Sequence, residues 1–348
     1  LADFAGLLAS DLYWRTEASR KVYMLLCDTD IDELGQAEAR INAAFGGSAV
    51  MRPHLEVVKL SVGVGVIDQA IRNRWNRLDD VQKSRMSTKW WTREDEVFTA
   101  RHLPADPTRG AGQCPMVSYF CALNKAAELE RAVANLVDQI DDTGHGGRVP
   151  QVNLNIVTSL AGGTGRGCWS TLAFMLRRTL TARFGEIKPT GFFLDQGVFS
   201  AVQKDKVRQR FRMRVNSLTG LSEVIMWSEL ARMDKESKEQ PAYFLPNLSD
   251  PGDPTRDVIQ EHASAMPVQA NSPIDYAQII FEKSKSGGLS KPERYYSMVA
   301  SGLYSRLAHS AIGTEEQNDL PRVGAFGSSR VEVPYAEILA YLKASAGY

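Results

Sequence analysis

The 348-residue sequence is predicted to fold as an α/β protein around a parallel sheet, with a long central helix and a smaller α+β second domain. Three observations predict it. Short apolar runs alternate with segments of helical periodicity. Glycine-rich loops directly follow two of the apolar runs or open a helix, at the points where a parallel sheet leaves crevices at the carboxyl ends of its strands. A stretch rich in Asp, Pro, Ser and Gln, with Pro251, Pro254 and Pro267, breaks the alternation before a second, shorter series begins.

The elements follow in order. Leu1–Trp14 has helical spacing, and Lys21–Cys27 is an apolar run ending in Asp28-Thr29-Asp30, a strand followed by a polar loop. Asp32–Phe45 is a helix closed by Gly46-Gly47, Ala70–Ser84 an Arg-rich helix, and Trp90 to Pro107 an irregular insertion. Arg109-Gly110-Ala111-Gly112-Gln113-Cys114-Pro115 is a glycine-rich turn, with Pro115 placed to start the helix Met116–Ile140. The loop Asp141–Pro150 delivers the strand Gln151–Thr158. Gly167–Phe184 is helical, Pro189–Leu194 a buried strand, and Lys206–Met233 a long helix with basic first turns. Beyond it the pattern predicts a strand (Tyr276–Lys283), a Gly287-Gly288 turn, a helix (Pro292–Ala311) and a late strand and helix (Val323–Leu342). The expected organisation is a first α/β domain over 1–215, a central helix over 206–233, an irregular linker or insertion over 234–275 and a second domain over 276–348. No internal repeat or low-complexity tract occurs.

Composition excludes several classes. The chain is 43% hydrophobic and 24% charged, enough to build a sizeable core. Lys plus Arg equals Asp plus Glu at 41 each, so no overall field draws the chain to nucleic acid or an anionic membrane. Cys27, Cys114, Cys121 and Cys168 show neither a CxxC pair nor Cys/His spacing, which argues against a zinc site and a disulfide framework and for a cytoplasmic location. No stretch approaches the roughly 20 apolar residues that cross a bilayer, so membrane insertion is not expected. The five histidines have no metal spacing, and no GxSxG motif is present.

The segment that carries chemistry is Ser159-Leu160-Ala161-Gly162-Gly163-Thr164-Gly165-Arg166-Gly167, between a strand and a helix. Backbone N–H groups and the helix dipole make an anion site there, glycine lets the backbone approach phosphate oxygens, and Thr164 adds a hydroxyl. It is neither a Walker loop nor a GxGxxG fingerprint. A glycine turn that binds nothing is the competing reading. The run Lys204, Lys206, Arg208, Arg210, Arg212, Arg214 alternates at every second position and makes no single helical face, so it reads as a solvated helix or a contact with phosphate or a neighbouring subunit rather than a polynucleotide groove. Trp90-Trp91 reads as part of a packed insertion.

Three separated segments together resemble the tubulin and FtsZ superfamily, most nearly its divergent bacterial tubulin-like members. Val22 to Asp30 resembles the strand that ends in an Asn-Thr-Asp loop, Arg109 to Pro115 the Gly-Ala-Gly-Ala-Asn-Pro loop, and Ser159 to Gly167 the Gly-Gly-Gly-Thr-Gly-Ser-Gly signature. The resemblance implies a Rossmann-like GTPase domain that binds GTP or GDP with Mg²⁺. Asp30 would approach the phosphate and metal region, with Asp28 also on the nucleotide. Gly110, Ala111, Gly112 and Gln113 would cover the terminal phosphate, and Ala161, Gly162, Gly163, Thr164 and Gly165 would cradle the others. Asp195, in Asp195-Gln196-Gly197, would meet the ribose, and Asn216, with Phe211 nearby on the same helix, would read guanine through its amide. Plain turn and surface-helix roles for Asp195 and Asn216 remain open.

The sequence departs from the pattern in three places. Ala161 stands where the signature has its first Gly, and Arg166 where it has Ser or Thr. The family's first glycine-rich loop is missing and is expected upstream of Leu1, with Leu1–Trp14 as the remainder of the first helix. Family members hydrolyse GTP with an acid presented to the next subunit of a filament. No Asn-x-Asp-x-x-Asp pattern occurs here, and Asp250, Asp253, Asp257 and Glu261 are the available acids, each also readable as a solvated loop charge. The leading expectation is a tubulin-like GTP-binding protein that self-associates head to tail into filaments, with hydrolysis completed between subunits. A nucleotide-binding scaffold that recruits other proteins without turnover, and an unrelated α/β dinucleotide-binding enzyme, are the alternatives.

Overall fold

The computed structural model describes residues 1–10, 21–46, 53–61, 110–141, 152–199, 207–230, 272–281, 292–308 and 323–325. The helix expected at Ala70–Ser84, the insertion at Trp90–Pro107, Asp250, Asp253, Asp257, Glu261 and the helix expected to end at Leu342 lie outside these residues.

The elements in chain order are α1 (Ala2–Ser10), β1 (Tyr23–Asp28), α2 (Ile31–Ala44), β2 (His54–Lys59), α3 (Pro115–Asn124), α4 (Ala126–Asp141), β3 (Asn155–Ser159), α5 (Gly163–Phe184), β4 (Thr190–Leu194), a short 3₁₀ turn (Gln196–Phe199), α6 (Val207–Leu230), β5 (Tyr276–Ile280), α7 (Pro292–Ala308) and β6 (Val323–Ala325). The expected alternation of strand and helix is present, and every pairing is parallel. β1 pairs with β2, Tyr23 opposite His54 and Asp28 opposite Lys59. β3, β4, β5 and β6 form a second sheet in sequence order, Asn155 opposite Thr190 and Thr190 opposite Tyr276. β2 has no counterpart in the sequence reading, because its residues are mostly half-buried and show no continuous apolar run. The single helix expected over Met116–Ile140 is two, α3 and α4, which meet at Lys125.

Residues from Tyr276 onward, expected to open a second domain, place their first strand in the same sheet as the signature loop. β5 lies beside β4, and β6 beside β5. α6, expected as a central helix, is the crossover between β4 and β5. Such a crossover of a parallel pair needs a long connection, and a helix supplies it.

Adjacent residues of a strand point to opposite faces, and β4 shows what this does here. Phe192 and Leu194 pack with α1, α7 and β1 through Phe4, Leu8, Met298, Val299, Met24 and Leu26. Phe193 packs on the other face with Trp169 and Phe174 of α5 and Val224 and Trp227 of α6. All five β4 residues are buried, as expected of a parallel strand covered on both sides. Trp169 meets Phe193 edge-on at 4.9 Å, and Phe174 meets Trp227 at 5.0 Å. Before β5, Arg177 of α5 donates to the Ser272 carbonyl at 2.7 Å and pairs with Asp275 at 2.8 Å, which ties that segment to α5.

Candidate nucleotide site

The carboxyl ends of β1, β3 and β4 bring four loops together. β1 runs into Asp28-Thr29-Asp30, which turns on itself: Asp28 Oδ1 accepts from the Asp30 N–H at 3.0 Å. Asp30 then caps α2, its Oδ1 accepting from the N–H groups of Asp32 and Glu33 at 3.1 Å each. Its carboxylate also faces Gly110, where an added Cβ would sit 3.7 Å from Oδ2. The sequence-predicted phosphate and metal residue is therefore also a helix cap.

Thr29 is 1% exposed. Its hydroxyl lies 2.6 Å from the Thr164 hydroxyl, a hydrogen bond joining the β1 loop to the signature loop. Sequence reasoning passed over Thr29; the only signal was its place between two aspartates.

The turn Gly110-Ala111-Gly112-Gln113 is wound left-handed at three of its four residues, with φ 97° at Gly110, 60° at Gly112 and 60° at Gln113. Glycine takes this region freely, whereas a side chain there is strained. Such strain persists where neighbours over-determine the geometry, as at ligand sites. Gln113 is held by Asn216, whose amide donates to the Gln113 carbonyl at 3.0 Å and the Ala161 carbonyl at 3.2 Å. Gln113 Oε1 is buried without a donor among the described residues.

The signature loop leads straight into α5, with Gly162 as N-cap and no side-chain hydrogen bond at the cap. Its first-turn N–H groups therefore receive no acceptor from the cap residue. The glycines divide by task. A Cβ on Gly163 would lie 2.9 Å from Ala111 Cβ and 3.0 Å from the Cys114 nitrogen, so this glycine lets the two loops interlock. A Cβ on Gly165 would overlap Thr158 Oγ1, and one on Gly167 would overlap the Pro115 carbonyl oxygen and Ser118 Oγ. Ser118 completes the junction by donating to the Gly163 carbonyl at 2.6 Å. Around Gly162, by contrast, a Cβ would meet nothing within 4 Å.

Asp195 closes the fourth loop as a turn residue, its Oδ2 accepting from the Gly197 N–H at 3.1 Å. Ser217 of α6 accepts from the Gln196 N–H at 2.9 Å, which places this turn one residue from Asn216 along the helix.

Three further residues are placed around these loops and on α6. Asn216, expected to read guanine with donor and acceptor, is 8% exposed and its amide nitrogen serves two backbone carbonyls. Through these two bonds the side chain ties the Gly110 turn to the signature loop. Phe211 is 67% exposed and lies about 140° around α6 from Asn216, away from the loops. Arg166, at the altered signature position, forms a partly buried ion pair with Glu223 of α6. Its stem crosses α6 at Gly220, where a Cβ would meet Arg166 Cδ at 2.8 Å.

The thiols around the site are structural. Burial, reinforced by the Asp28 carboxylate, pushes the Cys27 thiol up from 9.0 to about 12, and burial raises Cys168 well above 9.0. The folded state keeps both protonated where the unfolded chain would ionise them, so their contribution is full below pH 9 and is lost as pH rises toward 12. Urea midpoints are expected to fall over this window, and Cys27→Ala should flatten the fall; an identical slope in the variant would remove Cys27 as its cause.

The parallel sheet, the crossover helices and the loops at one end of the strands define a nucleotide-binding α/β protein. Comparison with known families narrows the class. The model of the family described as "Tubulin like" matches residues 4–347, and the chain belongs to that family, a tubulin-like protein of the GTP-binding kind. None of the curated proteins matches, and none of the solved structures.

Proposed function

We propose that the chain binds GTP or GDP with its phosphates in the crevice between the β1, Gly110 and signature loops, and that copies associate head to tail. The observation that carries the reading is the open first turn of α5: N–H donors without a side-chain cap, and a Gly162 whose Cβ direction is empty. Ala161, Gly162, Gly163, Thr164 and Gly165 present backbone and hydroxyl donors to the phosphates, and Gly110–Gln113 closes over the terminal one. Asp195, at the end of β4, faces the ribose side.

The donor set suits Mg²⁺. Asp28 and Asp30 would hold it, and no group of three or more His, Cys, Asp or Glu converges among the described residues. Magnesium is ordinarily held by one or two carboxylates, water and substrate phosphates rather than a protein cage. When bound it neutralises charge on the phosphates. Hydrolysis is completed between subunits, an acid of one copy positioning water at the nucleotide of the next. A heterologous contact of this kind that does not close on itself gives a filament.

Gly162→Val tests the site cleanly, since φ −80° and ψ 171° at this residue suit any side chain. Titration with GTP should give saturable binding that NAD does not reproduce, and the variant should bind GTP about 100-fold more weakly with unchanged thermal unfolding. Binding of NAD alone, or GTP affinity unchanged in the variant, would refute the assignment. Light scattering and phosphate release, each with and without GTP, test the rest: assembly without release leaves a non-hydrolysing polymer.

A further inference from the structure

The outward face of α6 carries an apolar row that the nucleotide site does not use. Val207, Phe211 and Leu218 are 69%, 67% and 67% exposed, and Val215 and Ile225 are exposed as well. At 3.6 residues per turn, positions 207, 211, 215, 218, 222 and 225 fall within about 80° of one another, with Ser222 the one polar member. Met213, Asn216, Val224 and Trp227 are buried on the other side of the helix. The helix is therefore apolar on two faces, and one of them meets the core.

From Phe211 the row advances in steps of four and three residues, the a/d repeat of a coiled-coil seam. The band is narrower than the ~100° stripe by which a helix buries itself in a core or lies in a membrane surface. Val207 to Ile225 spans about 27 Å of helix. Arginines border the row on both sides, Arg208 and Arg212 on one flank and Arg210 and Arg214 on the other. Among the described residues no ion pair engages Arg208, Arg210 or Arg214.

We propose that this face is a docking seam for an amphipathic helix of another protein whose flanking positions are acidic. Charge selects the occupant. A second copy of α6 laid in the seam would set Arg against Arg, whereas Glu or Asp beside the partner's apolar row would pair with Arg208, Arg210 and Arg214. The narrow a/d row selects a helix over a lipid surface.

The probe is a labelled 21-residue helical peptide with Leu at a and d and Glu at e and g, followed by fluorescence anisotropy against the full chain; the control carries Lys at e and g. The Glu peptide should bind at least tenfold more tightly than the Lys peptide. Leu218→Asp should weaken it at least tenfold with unchanged circular dichroism and melting temperature, and the double variant Arg208→Glu/Arg214→Glu should reverse the preference. Failure of the Glu peptide to bind, equal binding of the two peptides, or indifference to Leu218→Asp overturns the proposal. So does sedimentation of the chain with phosphatidylserine-containing vesicles that Leu218→Asp abolishes, which would assign the face to a membrane. A wild-type dimer that the same variant dissociates would assign it to a second copy.

Discussion

Asp275→Ala is expected to cost the fold about 3–5 kcal/mol, because it leaves a buried guanidinium without its counter-charge. Arg177 is 3% exposed and Asp275 8%. With Asp275 gone, Arg177 would keep its hydrogen bond to the Ser272 carbonyl but lose the carboxylate 2.8 Å away. The loss should appear as a lower urea midpoint, and the NH of residue 275, which donates to the Pro189 carbonyl, should exchange faster. Arg177→Met combined with Asp275→Leu removes both charges together and should recover most of the stability. A single variant within 1 kcal/mol of wild type would mean that water reaches the pair.

Gly167→Ala is the second large effect. The new methyl would run into the Pro115 carbonyl oxygen and Ser118 Oγ at the start of α3. Overpacking a core ordinarily costs 1–3 kcal/mol, and a clash with backbone cannot be relieved by a change of rotamer, so about 3 kcal/mol is expected. Because α3 follows directly from the Gly110 turn, pushing it away should also loosen the two interlocked loops, and GTP affinity should fall with stability. Stability that holds while affinity falls would instead place Gly167 at the ligand.

Much of the fold was legible in the sequence because its signals are local. The β1 and β4 runs are apolar along their length and end at Asp28 and Asp195, and the Gly110 and Gly162 loops stand where a strand or turn hands over to a helix. The resemblance rested on the order of those loops, and the family match bears it out. Pairings between distant segments were not legible. Nothing around Tyr276 says that its strand lies beside β4 rather than in a separate domain, since both arrangements need the same buried apolar run. Arg166 and Glu223 find each other across two helices, 57 residues apart in the chain, by a route that depends on Gly220. Asn216 and Phe211 share a helix with apolar residues on two sides, so the periodicity that identified the helix could not say which side faces the loops.

The division of labour among the signature glycines means that the motif carries two separable messages. Gly163, Gly165 and Gly167 record how α5 is docked against its neighbours, and Gly162 alone records room for a ligand. If the proposed site holds, a descendant of this chain could exchange Gly162 for a larger residue and keep its architecture while falling silent toward nucleotide. One that exchanged Gly167 would forfeit the architecture first, and its loss of nucleotide would be a symptom.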